Sequence, residues 1–364
     1  MGDVRWSWVD DVVPFVAMFI LTCLDMSLLT LVKAAMNHGL GSIAYVVYHN
    51  SLGTFILFPI FVFRMFRHVE RPPLGFHILL RFFVLGLLGL CLFQVLVYVG
   101  VNYSSPTLAS AITNLIPGNT FLFALIFRME KLHTRSLTSV AKLLGAIIAT
   151  TGAMVFTLYQ GPKLFATIPS PVNDPFVLSQ PLSWVLGGVI IFIATTFRSI
   201  WIVLQSATAM EYPDQNTMVF FYCLFGTIQC IALSPFLEPS PSAWVLQPGV
   251  GMIAVVLGAL YSTAFHSNVE TWCLKKKGPV FVAMFSPLSI VIGVILGVTF
   301  LGDSLHLGSA IGTAMIAAGF YFVMWGQAKE KNKQLVEVIE ENLVVADEAG
   351  SSDQNIPLLN ESKC

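Results

Sequence analysis

Asp25, His49, Arg198 and His266 are ionisable residues inside long apolar runs of the sequence, and Glu270 shares the run of His266. A charge placed in hydrocarbon costs about 3 kcal/mol on insertion scales, so such residues mark solute or ion paths by default. Asp25 could pair with an amino group or hold a proton, or it could hydrogen-bond a neighbouring helix. Arg198 carries a planar guanidinium suited to bidentate carboxylate binding. Snorkelling, or a pair with Glu211 or Asp214 in the following loop, is an equal expectation for it. His49, next to Asn50, could sense or relay protons near neutrality. A buried histidine satisfied by a backbone carbonyl is the commoner arrangement. Lys33, at the outer end of the run that holds Asp25, is expected to snorkel to the headgroups, with a carboxylate contact at the outer mouth left open.

A second pattern is uncharged. Ser110, Thr113, Asn114 and Pro117 fall at i, i+3, i+4 and i+7, one stripe of a helix. Pro117 lacks an N–H, which frees the carbonyl of Thr113 for another partner. A later run repeats the theme with Ala283, Ser286, Pro287, Gly293 and Gly297. Small-residue stripes also serve close helix packing. Gln94, Gln229, Tyr261 and His266 complete the candidates for a solute cavity. No HExxH, Walker loop or GxGxxG occurs, which argues against metal or ATP chemistry in the chain, and no cofactor or metal is implied. The chain is not expected to be an enzyme.

The elements that must carry these residues are membrane helices. Of 364 residues, 56% are hydrophobic and 11% charged, with mean hydropathy +0.78. Soluble domains carry about 25% charged residues, so lipid must be much of the solvent. A net charge of -1 argues against a nucleic-acid partner. The six cysteines (Cys23, Cys91, Cys223, Cys230, Cys273, Cys364) have neither CxxC nor metal-ligand spacing and read as small apolar packing residues. MGDVRWSWVDD shows no cleavage site, so the first apolar run is expected to be a retained helix.

Runs of about 20 apolar residues occur near 12–32, 43–63, 80–101, 106–127 and 139–160, then 182–205, 216–237, 250–271, 279–300 and 308–327. The expected fold is therefore an all-α membrane protein of ten transmembrane helices. Residues 1–11 form a cytoplasmic N-terminus, 161–181 a polar, Pro-rich extracytoplasmic linker, and 328–364 a charged, disordered cytoplasmic tail. With the N-terminus inside, fifteen Lys/Arg face the cytoplasm and two, Lys33 and Lys163, face out.

The two sets of five resemble each other. VLG at 84–86 matches VLG at 256–258, and Pro106 matches Pro279. Each proline is followed 24 residues later by an acid, Glu130 or Asp303, and then by Gly145/Gly152 or Gly312/Gly319. Five helices per copy inverts the second copy, the architecture of transporters with a midplane site and alternating access. The halves are expected at 12–160 and 182–327, with Pro117 and Pro287 facing one cavity from opposite sides.

The sequence also resembles the plant drug/metabolite exporter family, nodulin-21-like proteins with two EamA-type halves in the drug/metabolite transporter superfamily. That family includes the usually-multiple-acids-move-in-and-out amino-acid transporters and the walls-are-thin auxin transporter. VKAAMNHG at 32–39, ASAITNLIP at 109–117, LIFRMEKL at 125–132, WIVLQ at 201–205 and EYPDQ at 211–215 carry the resemblance. KKKGPVFVAMFSPL at 275–288, FLGDSLHLGSAIG at 300–312 and GFYFVMWG at 319–326 extend it. Tyr48-His49-Asn50 departs from the family's Tyr-Arg-Asn, and Arg198 stands where a small or polar residue is usual.

The resemblance implies a secondary transporter or facilitator of small organic solutes, amino acids first, with auxin or a specialised metabolite as the alternative. A receptor or scaffold is a further alternative. The partners are then a small solute and the bilayer. Proton coupling through Asp25, His49 or His266 and assembly into a homo-oligomer are left open. The tail's SSDQNIPLLNES places Asp353 one residue too far upstream for an acidic dileucine signal, which favours the plasma membrane over the vacuolar one. Asn102-Tyr103-Ser104 fits a glycosylation pattern, but its short loop predicts no glycan.

Overall fold

The computed structural model describes residues 3–37, 39–66, 74–104, 106–129, 137–159, 163–165, 182–212, 214–246, 249–296, 305–308 and 310–330. The long apolar runs form helices because a backbone without water must satisfy its own hydrogen bonds. They are α1 (Asp3–Asn37), α2 (Ser42–Phe66), α3 (Phe76–Leu85), α4 (Phe93–Tyr103), α5 (Pro106–Thr113), α6 (Ile116–Ile126) and α7 (Leu137–Leu158). After the linker come α8 (Leu182–Glu211), α9 (Gln215–Leu237), α10 (Val250–Gly258), α11 (Ser267–Lys277), α12 (Pro279–Ala283) and α13 (Phe285–Leu296). The last helix is α14 (Ala310–Glu330).

Among the described residues, eight helical spans are long and apolar enough to cross a membrane, and two shorter apolar helices, Ile116–Ile126 and Pro279–Ile292, accompany them. Two expected spans are thus interrupted rather than continuous. The first breaks between α5 and α6 at Asn114–Leu115, two residues before Pro117, and the second at Met284, three residues before Pro287. Proline removes a donor and crowds the preceding turn, so a break just N-terminal to it is the expected relief. The described spans are all helical, as expected, and one short strand pair lies outside them. Lys163–Phe165 (β1) pairs antiparallel with Leu305–His306 (β2), tying the linker to the segment before α14. Most of the linker, the tail beyond Glu330, and Glu130, Asp303 and Gly297 lie outside the described residues.

Matched helices of the two copies run antiparallel. On α2 and α9, the hydroxyls of Thr54 and Thr227 lie 3.0 Å apart, and the rings of Phe61 and Phe220 stack at 4.5 Å. Moving seven residues up one helix moves seven residues down the other. Helices α7 and α14 do the same. A Cβ on Gly145 would lie 2.6 Å from the Gly319 carbonyl oxygen, and one on Gly152 3.0 Å from that of Gly312. The two Gly-x6-Gly motifs thus pack on each other, and glycine is required because the backbones touch. Thr54 and Thr227 are 173 residues apart, the same separation as Pro106 and Pro279.

Two π-helical segments, Gly86–Leu92 between α3 and α4 and Ala259–His266 between α10 and α11, begin at positions with that same separation. Such segments widen a helix and re-aim side chains, often at functional sites. Phe55, Phe63, Ile147, Ile193 and Ile253 are exposed, a lipid-facing surface. The core lies between the copies, with Phe82, Trp201, Met218, Tyr222, Leu274 and Phe281 in one buried cluster.

Candidate functional site

Inside this bundle, α1, α8 and the α10–α11 span bring four ionisable side chains together. Arg198 Nη2 donates to Glu270 Oε1 at 3.0 Å. His266 Nε2 lies 3.2 Å from Asp25 Oδ2, and His266 Nδ1 lies 3.7 Å from Glu270 Oε2. The order is Asp25, His266, Glu270, Arg198, alternating acceptors with donors. The side chain of Asp25 is 38% exposed, Arg198 23%, His266 19% and Glu270 only 6%. Glu270 therefore sits behind the other three.

The local sequence explains the convergence. His266 and Glu270 are one turn apart, so they share a face. His266 also closes the π-helical segment, where the extra residue per turn alters its direction. Arg198 is held by aromatic faces, its Cζ 4.1 Å from the Trp201 ring centroid and 5.8 Å from that of Phe93. Trp201 in turn lies where Gly89 leaves room, since a Cβ on Gly89 would come 2.2 Å from Trp201 Nε1. Tyr261 donates to the carbonyl of Leu21 at 2.7 Å, one turn before Asp25, and so joins the two helices beside the ion pairs.

Three expected residues, Asp25, Arg198 and His266, thus come together with Tyr261 beside them. Glu270, which shares the apolar run of His266 but is not among the cavity candidates, joins them; its i, i+4 spacing from His266 is the signal in the sequence. The expectation that Arg198 pairs with Glu211 or Asp214 is corrected: Glu211 is engaged by Arg81, and Arg198 takes Glu270. Arg198 is near the middle of the Val185–Glu211 span, too deep to snorkel, so a partner from another helix neutralises it.

The remaining candidates stand elsewhere. His49 is buried, stacks on Tyr45 at 4.6 Å, and its Nδ1 is 2.8 Å from the Tyr45 carbonyl oxygen. Asn50 is buried beside it. Asn114 Nδ2 reaches Thr157 Oγ1 at 3.4 Å, and Thr113 Oγ1 donates to the Ala109 carbonyl at 2.9 Å. Gln229 donates to the Phe83 carbonyl at 3.2 Å. Gln94 Oε1 is buried without a hydrogen-bond partner among the described residues. Pro117 and Pro287 are buried, and Ser286 is half-buried. The broken helices pack on each other through Phe121, Ala124, Val280 and Met284. The side chains of Lys33 and Ser110 are outside the described residues. No group of metal-ligating residues occurs among the described residues.

Antiparallel repeated helices around paired charges within an apolar bundle mark a polytopic membrane protein. The EamA-like transporter family model matches residues 14–158 and 185–325, and the chain belongs to that family. A WAT1-related protein of Arabidopsis thaliana is 39% identical over 95% of this chain and 93% of its own length. A second WAT1-related protein of the same plant is 38% identical over 94% of this chain and 95% of its own. A crystal structure superposes with TM-score 0.63 at 18% identity, covering 86% of this chain and 97% of that one, a likeness of fold alone. The protein is a multi-pass membrane transporter and not an enzyme.

Proposed function

We propose that the protein moves small organic solutes, amino acids first, across a plant membrane by alternating access, with the ion-paired cluster as the solute site. In this reading the eight long spans and the two interrupted ones make ten crossings, in inverted five-helix halves at 12–160 and 182–327. The cytoplasm holds both termini, by the distribution of Lys and Arg. The plasma membrane is the favoured location, the vacuolar membrane the second.

The carrying observation is the set of pairs Asp25–His266 and Arg198–Glu270 (3.2 and 3.0 Å). Buried ion pairs contribute little net stability compared with apolar packing, so stability alone does not account for them. An α-amino acid carries an ammonium and a carboxylate two bonds apart. Asp25 offers the first a carboxylate, and Arg198 offers the second a guanidinium. His266, between two carboxylates, is the group through which a proton could be coupled: its proton would balance the second carboxylate.

Auxin or another aromatic carboxylate is the second reading, favoured by the Trp201 and Phe93 rings around Arg198. Counterflow in proteoliposomes with amino acids against indole-3-acetate separates the two. Uptake of indole-3-acetate with no amino-acid flux would sink the first reading.

A further inference from the structure

We infer that Glu270 and His266 are built-in stand-ins for the solute's own charged groups, which the solute must displace to bind. The inference rests on the amino-acid reading above and deepens it. Asp25 and Arg198 occupy matched positions of the two copies, with the 173-residue separation of Thr54 and Thr227. The contacts match as well. Phe93, beneath Arg198, corresponds by that separation to His266, which lies against Asp25. The repeat therefore places one anionic and one cationic group at equivalent points of opposed halves. Glu270 breaks the pattern, because its counterpart in the first copy is Val97.

Without solute, an exposed arginine and aspartate in apolar surroundings would be costly. The molecule fills both. The Glu270 carboxylate lies on Arg198 as a solute carboxylate would, and the His266 imidazole lies on Asp25 as an ammonium would. The exposures agree with exchange: Asp25 and Arg198 can be approached at 38% and 23%, whereas Glu270 stands behind at 6%. When a zwitterion arrives, its carboxylate takes Arg198 and its ammonium takes Asp25. The two displaced groups, already 3.7 Å apart on one helix face, then pair with each other. No charge is left alone: two pairs within the protein become two to the solute and one between the displaced groups. Release reverses the exchange, so the stand-ins lower affinity and speed unloading.

Binding to purified protein in nanodiscs tests this by calorimetry, with L-phenylalanine and 3-phenylpropionate, which lacks the amine. The rings of Phe93, Trp201 and Tyr261 around the cluster make this the fitting pair. Glu270→Gln should tighten both ligands about tenfold, roughly the worth of one charge-assisted hydrogen bond. It should also slow phenylalanine counterflow at saturation. His266→Gln should tighten phenylalanine alone. Glu270→Asp, with its shorter reach, should shift affinity in the same direction by less, and it serves if Glu270→Gln does not fold. Wild-type binding of phenylalanine that is unchanged or weakened by both Glu270 variants would overturn the exchange while leaving the amino-acid reading intact. Binding of neither ligand by wild-type protein would overturn both.

Discussion

The hydroxyls of Thr54 and Thr227, 173 residues apart in sequence, meet at 3.0 Å where α2 and α9 cross in opposite directions. This contact marks the point about which the two copies are related, and the same separation carries Asp25 onto Arg198. Asp25 and Arg198, of opposite charge, thus stand at positions with the same separation on α1 and α8.

Arg198→Ala takes the closer partner from Glu270, which is 6% exposed and keeps only the longer 3.7 Å contact to His266. Removing one partner of a buried pair costs about 3–5 kcal/mol. Thermal unfolding in detergent should therefore drop sharply, and transport should be lost. The neutral double variant Arg198→Gln/Glu270→Gln should recover much of the stability and none of the transport. Recovery of both would make the pair structural.

Asp25→Asn should fold, because Asp25 is the most exposed member of the cluster and an amide still hydrogen-bonds His266. Amino-acid uptake should fall at least about tenfold, the loss of one charged contact to an ammonium. Uptake within a factor of about two of wild type would remove Asp25 from the solute site.

Gly319→Ala would place a Cβ 2.5 Å from both the Ala149 amide and the Gly145 carbonyl oxygen. These are backbone atoms of the facing helix, so α7 and α14 must separate. Overpacking of this kind costs about 1–3 kcal/mol. The expected outcome is a lower melting temperature with reduced yield of monodisperse protein; an unchanged melting temperature would contradict the close approach.

His49→Gln tests whether the departure from the family's Tyr-Arg-Asn matters to transport. Among the described residues, the His49 Nδ1–H donates to the Tyr45 carbonyl oxygen, and the ring stacks on that of Tyr45. The variant should lower stability by about 1 kcal/mol and leave the half-saturating solute concentration unchanged. A shift in that concentration would bring His49 into the site.

Much of this was legible in the sequence for specific reasons. Asp25, Arg198 and His266 stand out because hydrocarbon tolerates few charges, and Pro117 and Pro287 announce helix breaks because proline cannot donate. Gly145, Gly152, Gly312 and Gly319 mark the repeat, though not that the two motifs meet each other through their backbones. Glu270 lies in the same apolar run as His266, but its role depends on a partner outside that run. Its partner Arg198 is 72 residues away, and no local pattern reports such a pairing. The π-helical segments have no sequence signature beyond the matched VLG tripeptides at their starts, yet one of them sets the direction of His266.

The central claim is that the cluster carries solute between the two faces. Counterflow of radiolabelled L-phenylalanine into proteoliposomes preloaded with unlabelled amino acid tests it most directly, for wild-type protein beside Asp25→Asn and the double variant Arg198→Gln/Glu270→Gln. The account predicts saturable accumulation by the wild type and none above empty vesicles by the double variant, with both proteins folded. Equal accumulation by the wild type and the folded double variant would contradict it.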